Sequence, residues 1–178
     1  MTLIVGIITE EKGYLACDDI TTTLHNYIKN KEKRIKKCVL DGIDSFIGFS
    51  GDVKRIQKIR RKIDSDRLLS IEDIGNYHAK GCLFRERKSY VTELILNECQ
   101  ELIQIWNDGS SITTSNTFMS IGSGGWVADY ILEYINLHDP LYNQHEANIK
   151  EILRDIYKIA NNNMNSVGSI PFIKTINF

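Results

Sequence analysis

Proline is scarce: two in 178 residues, with no Pro/Gly-rich linker, repeat or low-complexity tract to divide the chain. A single domain is therefore expected, long enough to bury roughly two-thirds of its unfolded surface. An excess of charge of either sign is also missing. The formal net charge is -1, so bulk electrostatics gives no reason to expect a nucleic-acid or anionic-membrane partner. Long apolar runs are absent: the stretch from Ile4 to Ile8 falls far below the ~20 residues needed to span a bilayer. No basic leader precedes a long apolar segment, so no signal peptide is read and a cytoplasmic location is expected. The four cysteines, Cys17, Cys38, Cys82 and Cys99, show no C-x-x-C spacing. His25, His78, His138 and His145 form no H-E-x-x-H. Free thiols, no metal and no cofactor are the expectation.

What is present is periodicity. Residues 2–8 (TLIVGII) form a β-branched run that reads as a buried strand. A turn at Glu10-Glu11-Lys12-Gly13 leads to a second strand from Tyr14 to Cys17, so the N-terminus is built into a sheet. Residues 33–40 and 45–50 read as another pair around Asp41-Gly42. Val53, Ile56, Ile59 and Ile63 recur at helical steps and predict a helix over 51–63. A second helix is expected over 71–84. Strands follow at 90–96 and 102–106, closed by the Asn107-Asp108-Gly109 turn, and another near 117–121. Helices are read over 126–137 and 146–162, and a last strand over 170–176. This order suits an α+β four-layer αββα sandwich, two stacked sheets with helices outside. Periodicity alone does not separate it from other α+β arrangements.

The basic run from Lys29 to Lys37 (KNKEKRIKK) is read as a solvated segment. It lacks interleaved aromatics on which bases would stack. Arg85 to Lys88 reads the same way.

Three stretches carry a family resemblance: TLIVGIITEEKGYLACDD (2–19), FIGFSGDVKRIQ (46–57) and IGSGGWVADYILEYI (121–135). In order and spacing they resemble the proteasome β-subunit and HslV-type N-terminal-nucleophile hydrolases. The first matches the mature start of such subunits, with an aspartate, Asp18, sixteen residues after a threonine, Thr2. The resemblance implies the same αββα sandwich over the whole chain.

It also implies site residues. Thr2 would be the nucleophile once Met1 is removed. Its own α-amine, with a pKa of roughly 7.7–8 before perturbation, would act as base and would already be held covalently in place. Asp18 matches the aspartate that holds the family's catalytic lysine, and ungapped counting puts Arg34 at the lysine's position. Lys33 is adjacent, but neighbouring strand side chains point to opposite faces. Arginine keeps the charge and gains a two-pronged carboxylate partner, yet cannot release a proton near neutral pH. Asn163, three residues before Ser166, stands where the family has an aspartate, with Asn161 and Asn162 as alternative registers. Gly51 matches the oxyanion-hole glycine, Ser123 the serine beside the threonine amine, and Thr22 the residue that pairs with substrate backbone. Phe49 corresponds to the wall of the pocket for the residue before the cut; it also reads as a core residue.

Two functions follow from the resemblance. One is a threonine peptidase or amidase acting on peptides or unfolded chains, assembled as a homo-oligomeric ring and fed by an ATP-driven unfoldase. The other is a catalytically silent paralogue acting as scaffold or binding module, to which Arg34 and Asn163 both point.

Overall fold

A computed structural model describes residues 2–18, 20–22, 27–29, 34–83, 90–114, 117–164 and 167–178; side chains are described for all of these except 20–22, 27–29, 82 and 83. The first strands in chain order are β1 (Leu3–Ile8), β2 (Lys12–Asp18), β3 (Ile20–Thr22), β4 (Tyr27–Lys29), β5 (Ile35–Leu40) and β6 (Ile43–Gly51). Helices α1 (Val53–Asp64) and α2 (Ile71–Leu83) come next. They are followed by β7 (Val91–Asn97), β8 (Leu102–Ile105), β9 (Ser111–Thr114) and β10 (Phe118–Gly122). Helix α3 (Gly125–His138), a 3₁₀ turn at Leu141–Asn143, helix α4 (Glu146–Asn163) and strand β11 (Pro171–Asn177) complete the order.

Two antiparallel sheets form the middle layers, in orders β10-β1-β2-β11 and β5-β6-β7-β8-β9, with β3-β4 a separate small ribbon. Each sheet is covered on both faces, which is why its inner strands read as continuous apolar runs. On β1, Leu3, Val5 and Ile7 pack towards α3 and α4, while Ile4 and Ile8 pack into the space between the sheets. β7 divides the same way: Val91 and Ile95 face α1 and α2, and Leu94 and Leu96 face the other sheet. Full burial of each such side chain stabilises the fold by roughly 1.5–3 kcal/mol. The result is the four-layer αββα arrangement expected from the order of elements.

Local chemistry sets the helix starts. Asp52 caps α1 by accepting from Arg55 N at 2.8 Å, and Ile56, Ile59 and Ile63 turn inward. At the start of α2, Ser70 Oγ accepts from Asp73 N at 2.9 Å, and Asp73 Oδ2 accepts from Leu69 N at 3.1 Å, a reciprocal cap. No described helix is long and apolar enough to cross a membrane.

Asp41 and Gly42 both have positive φ, as the two-residue hairpin turn between β5 and β6 requires. Three strands were not legible. β9 is an edge strand whose first three residues are all exposed, so no apolar run marks it. The Asn107-Asp108-Gly109 turn therefore joins β8 to β9 rather than closing the set. β3 and β4 are only three residues each. Lys33, at the expected start of the third strand, and the Arg85–Lys88 cluster lie outside the described residues.

A polar cluster sits inside the α1/α2 layer. Arg55, His78 and Glu93 are at most 2% exposed. Arg55 Nη2 lies 3.0 Å from His78 Nδ1, His78 Nε2 lies 2.8 Å from Glu93 Oε1, and Arg55 Nη1 donates to Asn107 Oδ1 at 2.7 Å. Since a guanidinium can only donate, Nδ1 must accept, which assigns the imidazole proton to Nε2 and makes Nε2 the donor to Glu93. The cluster ties the first turn of α1 to α2, β7 and the loop after β8.

Candidate active site

Thr2 immediately precedes β1, an inner strand, and is 2% exposed. It lines an open cleft of about 980 Å³, together with Arg34, Ser50, Gly51, Ser123 and Trp126. Two glycines in left-handed conformations make the approach of these strands possible. Gly51 has φ +125°, and a Cβ there would stand 2.0 Å from Tyr90 O. Gly122 has φ +95°, and a Cβ there would stand 2.0 Å from Thr2 O. Any larger residue at either position would clash with backbone and carry conformational strain.

Beneath the start of β1 lies Asp18, at the end of β2 and 2% exposed. Its Oδ1 accepts from Leu3 N at 3.3 Å and its Oδ2 from Gly168 N at 3.4 Å. Arg34 Nη1 stands 3.9 Å from Oδ1, the long end of an ion pair. Burial pushes the carboxyl up from 3.8 to about 6, against the pull of Arg34 and the two N–H donors. At that distance desolvation outweighs the guanidinium. Arg34 is itself anchored, its carbonyl accepting from Phe49 N at 2.9 Å. On the far side, Tyr157 of α4, fully buried, donates from its hydroxyl to Leu3 O at 3.0 Å. The N–H and the carbonyl of Leu3, directly after Thr2, are thus both held by side chains, one from β2 and one from α4.

The structure therefore brings together Thr2, Asp18, Arg34, Gly51 and Ser123. Ser123 Oγ is sealed from solvent without a hydrogen-bond partner among the described residues, and Ser123 lines the cleft. Phe49 is placed elsewhere. It is fully buried, packs with Ile56 and Ile59 of α1, has the Arg60 guanidinium over its ring, and does not line the cleft. Its core reading is the one the geometry matches. Strand alternation makes Ser50, one residue on, the side chain of β6 that faces the cleft. Asn163 is also apart: it is exposed in the last turn of α4 and donates back to Ile159 O at 2.8 Å. Ser166 lies outside the described residues. From this segment the backbone N–H of Gly168 reaches Asp18. Thr22 is described only in its backbone, paired with Tyr27.

Sequence reasoning missed Ser50, Thr92, Ser120, Tyr157 and Asp129. Ser120 Oγ lies 2.7 Å from Asp129 Oδ1 and 2.9 Å from Gly125 O, which ties β10 to the start of α3. Burial raises the Asp129 carboxyl, while the Ser120 hydroxyl opposes that shift. For Tyr157 a signal was available, since it falls on the apolar stripe of α4 with Leu153 and Ile156. For Thr92 none was, because a threonine within a strand is ordinary.

The four-layer fold that carries this cleft is the HslV- and proteasome-like one. Solved structures agree along nearly the whole chain. The eukaryotic HslV of Trypanosoma brucei superposes with a TM-score of 0.70 at 19% identity, covering 99% of each chain. Anbu, the ancestral beta-subunit, from Yersinia bercovieri has a TM-score of 0.75 at 13% identity, covering 97% of this chain and 80% of that one. BPH from Thiobacillus denitrificans, in complex with epoxomicin, has a TM-score of 0.73 at 14% identity over 98% of both chains. No family model matches the sequence, and neither does any curated protein.

Proposed function

We propose that this protein is a threonine-type peptidase or amidase whose nucleophile is Thr2. The observation that supports it most is the seat of Thr2, inside the cleft and beside Gly51, with the next peptide unit fastened to Asp18 and Tyr157. With Met1 removed, the α-amine takes the Thr2 hydroxyl proton as Oγ attacks the substrate carbonyl. The Gly51 N–H stabilises the oxyanion, a role typically worth roughly 3–4 kcal/mol of barrier. The C–N bond then breaks, its amine leaving with the proton. Water, deprotonated by the same α-amine, hydrolyses the ester. Ser123 hydrogen-bonds beside that amine. Arg34 supplies a fixed positive field and no proton, so proton traffic falls to the amine alone. Thr22 pairs with substrate backbone.

By likeness to HslV and Anbu, the working form is a homo-oligomeric ring in the cytoplasm that takes peptides or unfolded chains, with an ATP-driven unfoldase as partner. A second reading, a silent scaffold of the same fold, is favoured by Arg34 at the lysine position and by Asn163 lying outside the cleft.

Intact mass before and after exposure to a peptide epoxyketone separates the two, because the adduct needs the threonine hydroxyl and a free α-amine on the same residue. Loss of Met1 followed by one adduct per chain is expected. Met1 loss without an adduct would leave the scaffold.

A further inference from the structure

The cleft holds a polar recess that the proposed chemistry does not use. Thr92 is 3% exposed, and its Oγ1 is sealed from solvent with no hydrogen-bond partner among the described residues, yet Thr92 lines the cleft. An unsatisfied buried hydroxyl costs stability, so its retention beside a reactive centre calls for a ligand that satisfies it. Its surroundings identify the chemistry. β6 and β7 pair Ser50 directly with Thr92, so the two side chains share the face between the sheets. Gln104, opposite Leu94 on β8, lies on that same face and also lines the cleft. The recess is contiguous with the nucleophile: a Cβ on Gly122 would stand 3.0 Å from Ser50 Oγ and 2.0 Å from Thr2 O. Two hydroxyls and a carboxamide offer donors and acceptors without charge.

We propose that Thr92, Ser50 and Gln104 form a specificity subsite for an uncharged side-chain carboxamide, that of glutamine or asparagine, in the bound polypeptide. A carboxamide both donates and accepts, as this lining does, whereas a charged group would find no counter-ion among the three residues. The inference rests on the cleft being the substrate cleft, but not on Thr2 being active.

The test compares the capped pentapeptides Ala-Ala-Gln-Ala-Ala and Ala-Ala-Met-Ala-Ala, similar in length and shape, on the wild-type protein and on Thr92→Val. Binding is read by saturation-transfer NMR, cleavage by chromatography, and folding by thermal melting. Wild type should bind the glutamine peptide about tenfold more tightly than the methionine peptide, and Thr92→Val should erase that ratio. Because the hydroxyl has no partner among the described residues, the variant should melt no lower than wild type. Equal binding of the two peptides by wild type, or a ratio that survives in Thr92→Val, would overturn the subsite. So would a marked drop in melting temperature, which would mean the hydroxyl serves the fold. Preferred binding without cleavage of either peptide would keep the subsite and remove the peptidase reading.

Discussion

Asp18 is anionic only at a cost, and this makes it the residue whose behaviour is easiest to measure. Its folded value, about 6, lies above the ordinary 3.8, so the folded protein binds the proton more tightly than the unfolded chain. That contribution is fully present below about pH 4 and is lost as pH rises through 6, on the order of 3 kcal/mol in all. Wild type should therefore lose melting temperature relative to Asp18→Asn between pH 4 and 6.5, and a constant difference across that range would mean the carboxyl is not perturbed. Arg34 is the second residue in question. It touches Asp18 only at 3.9 Å and cannot shuttle a proton. If it occupies the family lysine's place, Arg34→Lys should preserve or raise the rate of epoxyketone adduct formation. A complete loss of labelling in a folded variant would show that the guanidinium does something a lysine cannot.

At the level of elements, the start of α1 carries the site. Gly51 ends β6, Asp52 caps the helix, and Arg55, one turn in, is locked to His78 and Asn107. The proposed oxyanion donor, the Gly51 N–H, is thus positioned by a buried polar cluster reaching β7 and α2. Gly51→Ala must displace the backbone at Tyr90, just before β7, as well as adopt a left-handed φ, and should cost about 2 kcal/mol or more in denaturant unfolding while slowing adduct formation. His78→Ala leaves Arg55 and Glu93 facing each other across a cavity. It should destabilise by about 3 kcal/mol, and a loss below ~1 kcal/mol would mean the cluster is held by something else. Much of this level was legible. Ile56, Ile59 and Ile63 announced α1, and the run from Leu3 to Ile8 announced a strand covered on both faces. β9 was not legible, because an exposed edge strand buries too little apolar surface to leave a pattern.

For the whole molecule, assembly and catalysis should come apart. Thr2→Ala should abolish peptide cleavage and leave the sedimentation behaviour of the wild type unchanged, since Thr2 is buried inside the cleft of its own subunit. Cleavage that persists in that variant would remove Thr2 as nucleophile, and a wild type that sediments only as a monomer would remove the ring. By itself the sequence determined the order of strands and helices, and its family resemblance supplied the candidates Thr2, Asp18, Arg34, Gly51 and Ser123. The first is written in local periodicity, the second in motifs of fixed spacing. Only the tertiary structure decided that Phe49 belongs to the α1 core and Ser50 to the cleft, because one residue along a strand is the difference between its two faces. Tertiary structure also placed Asn163 at the surface, brought the Gly168 N–H to Asp18, and enclosed Thr92 without a partner among the described residues. Those outcomes depend on which strands and helices meet across more than a hundred residues of chain, a proximity that local pattern does not encode.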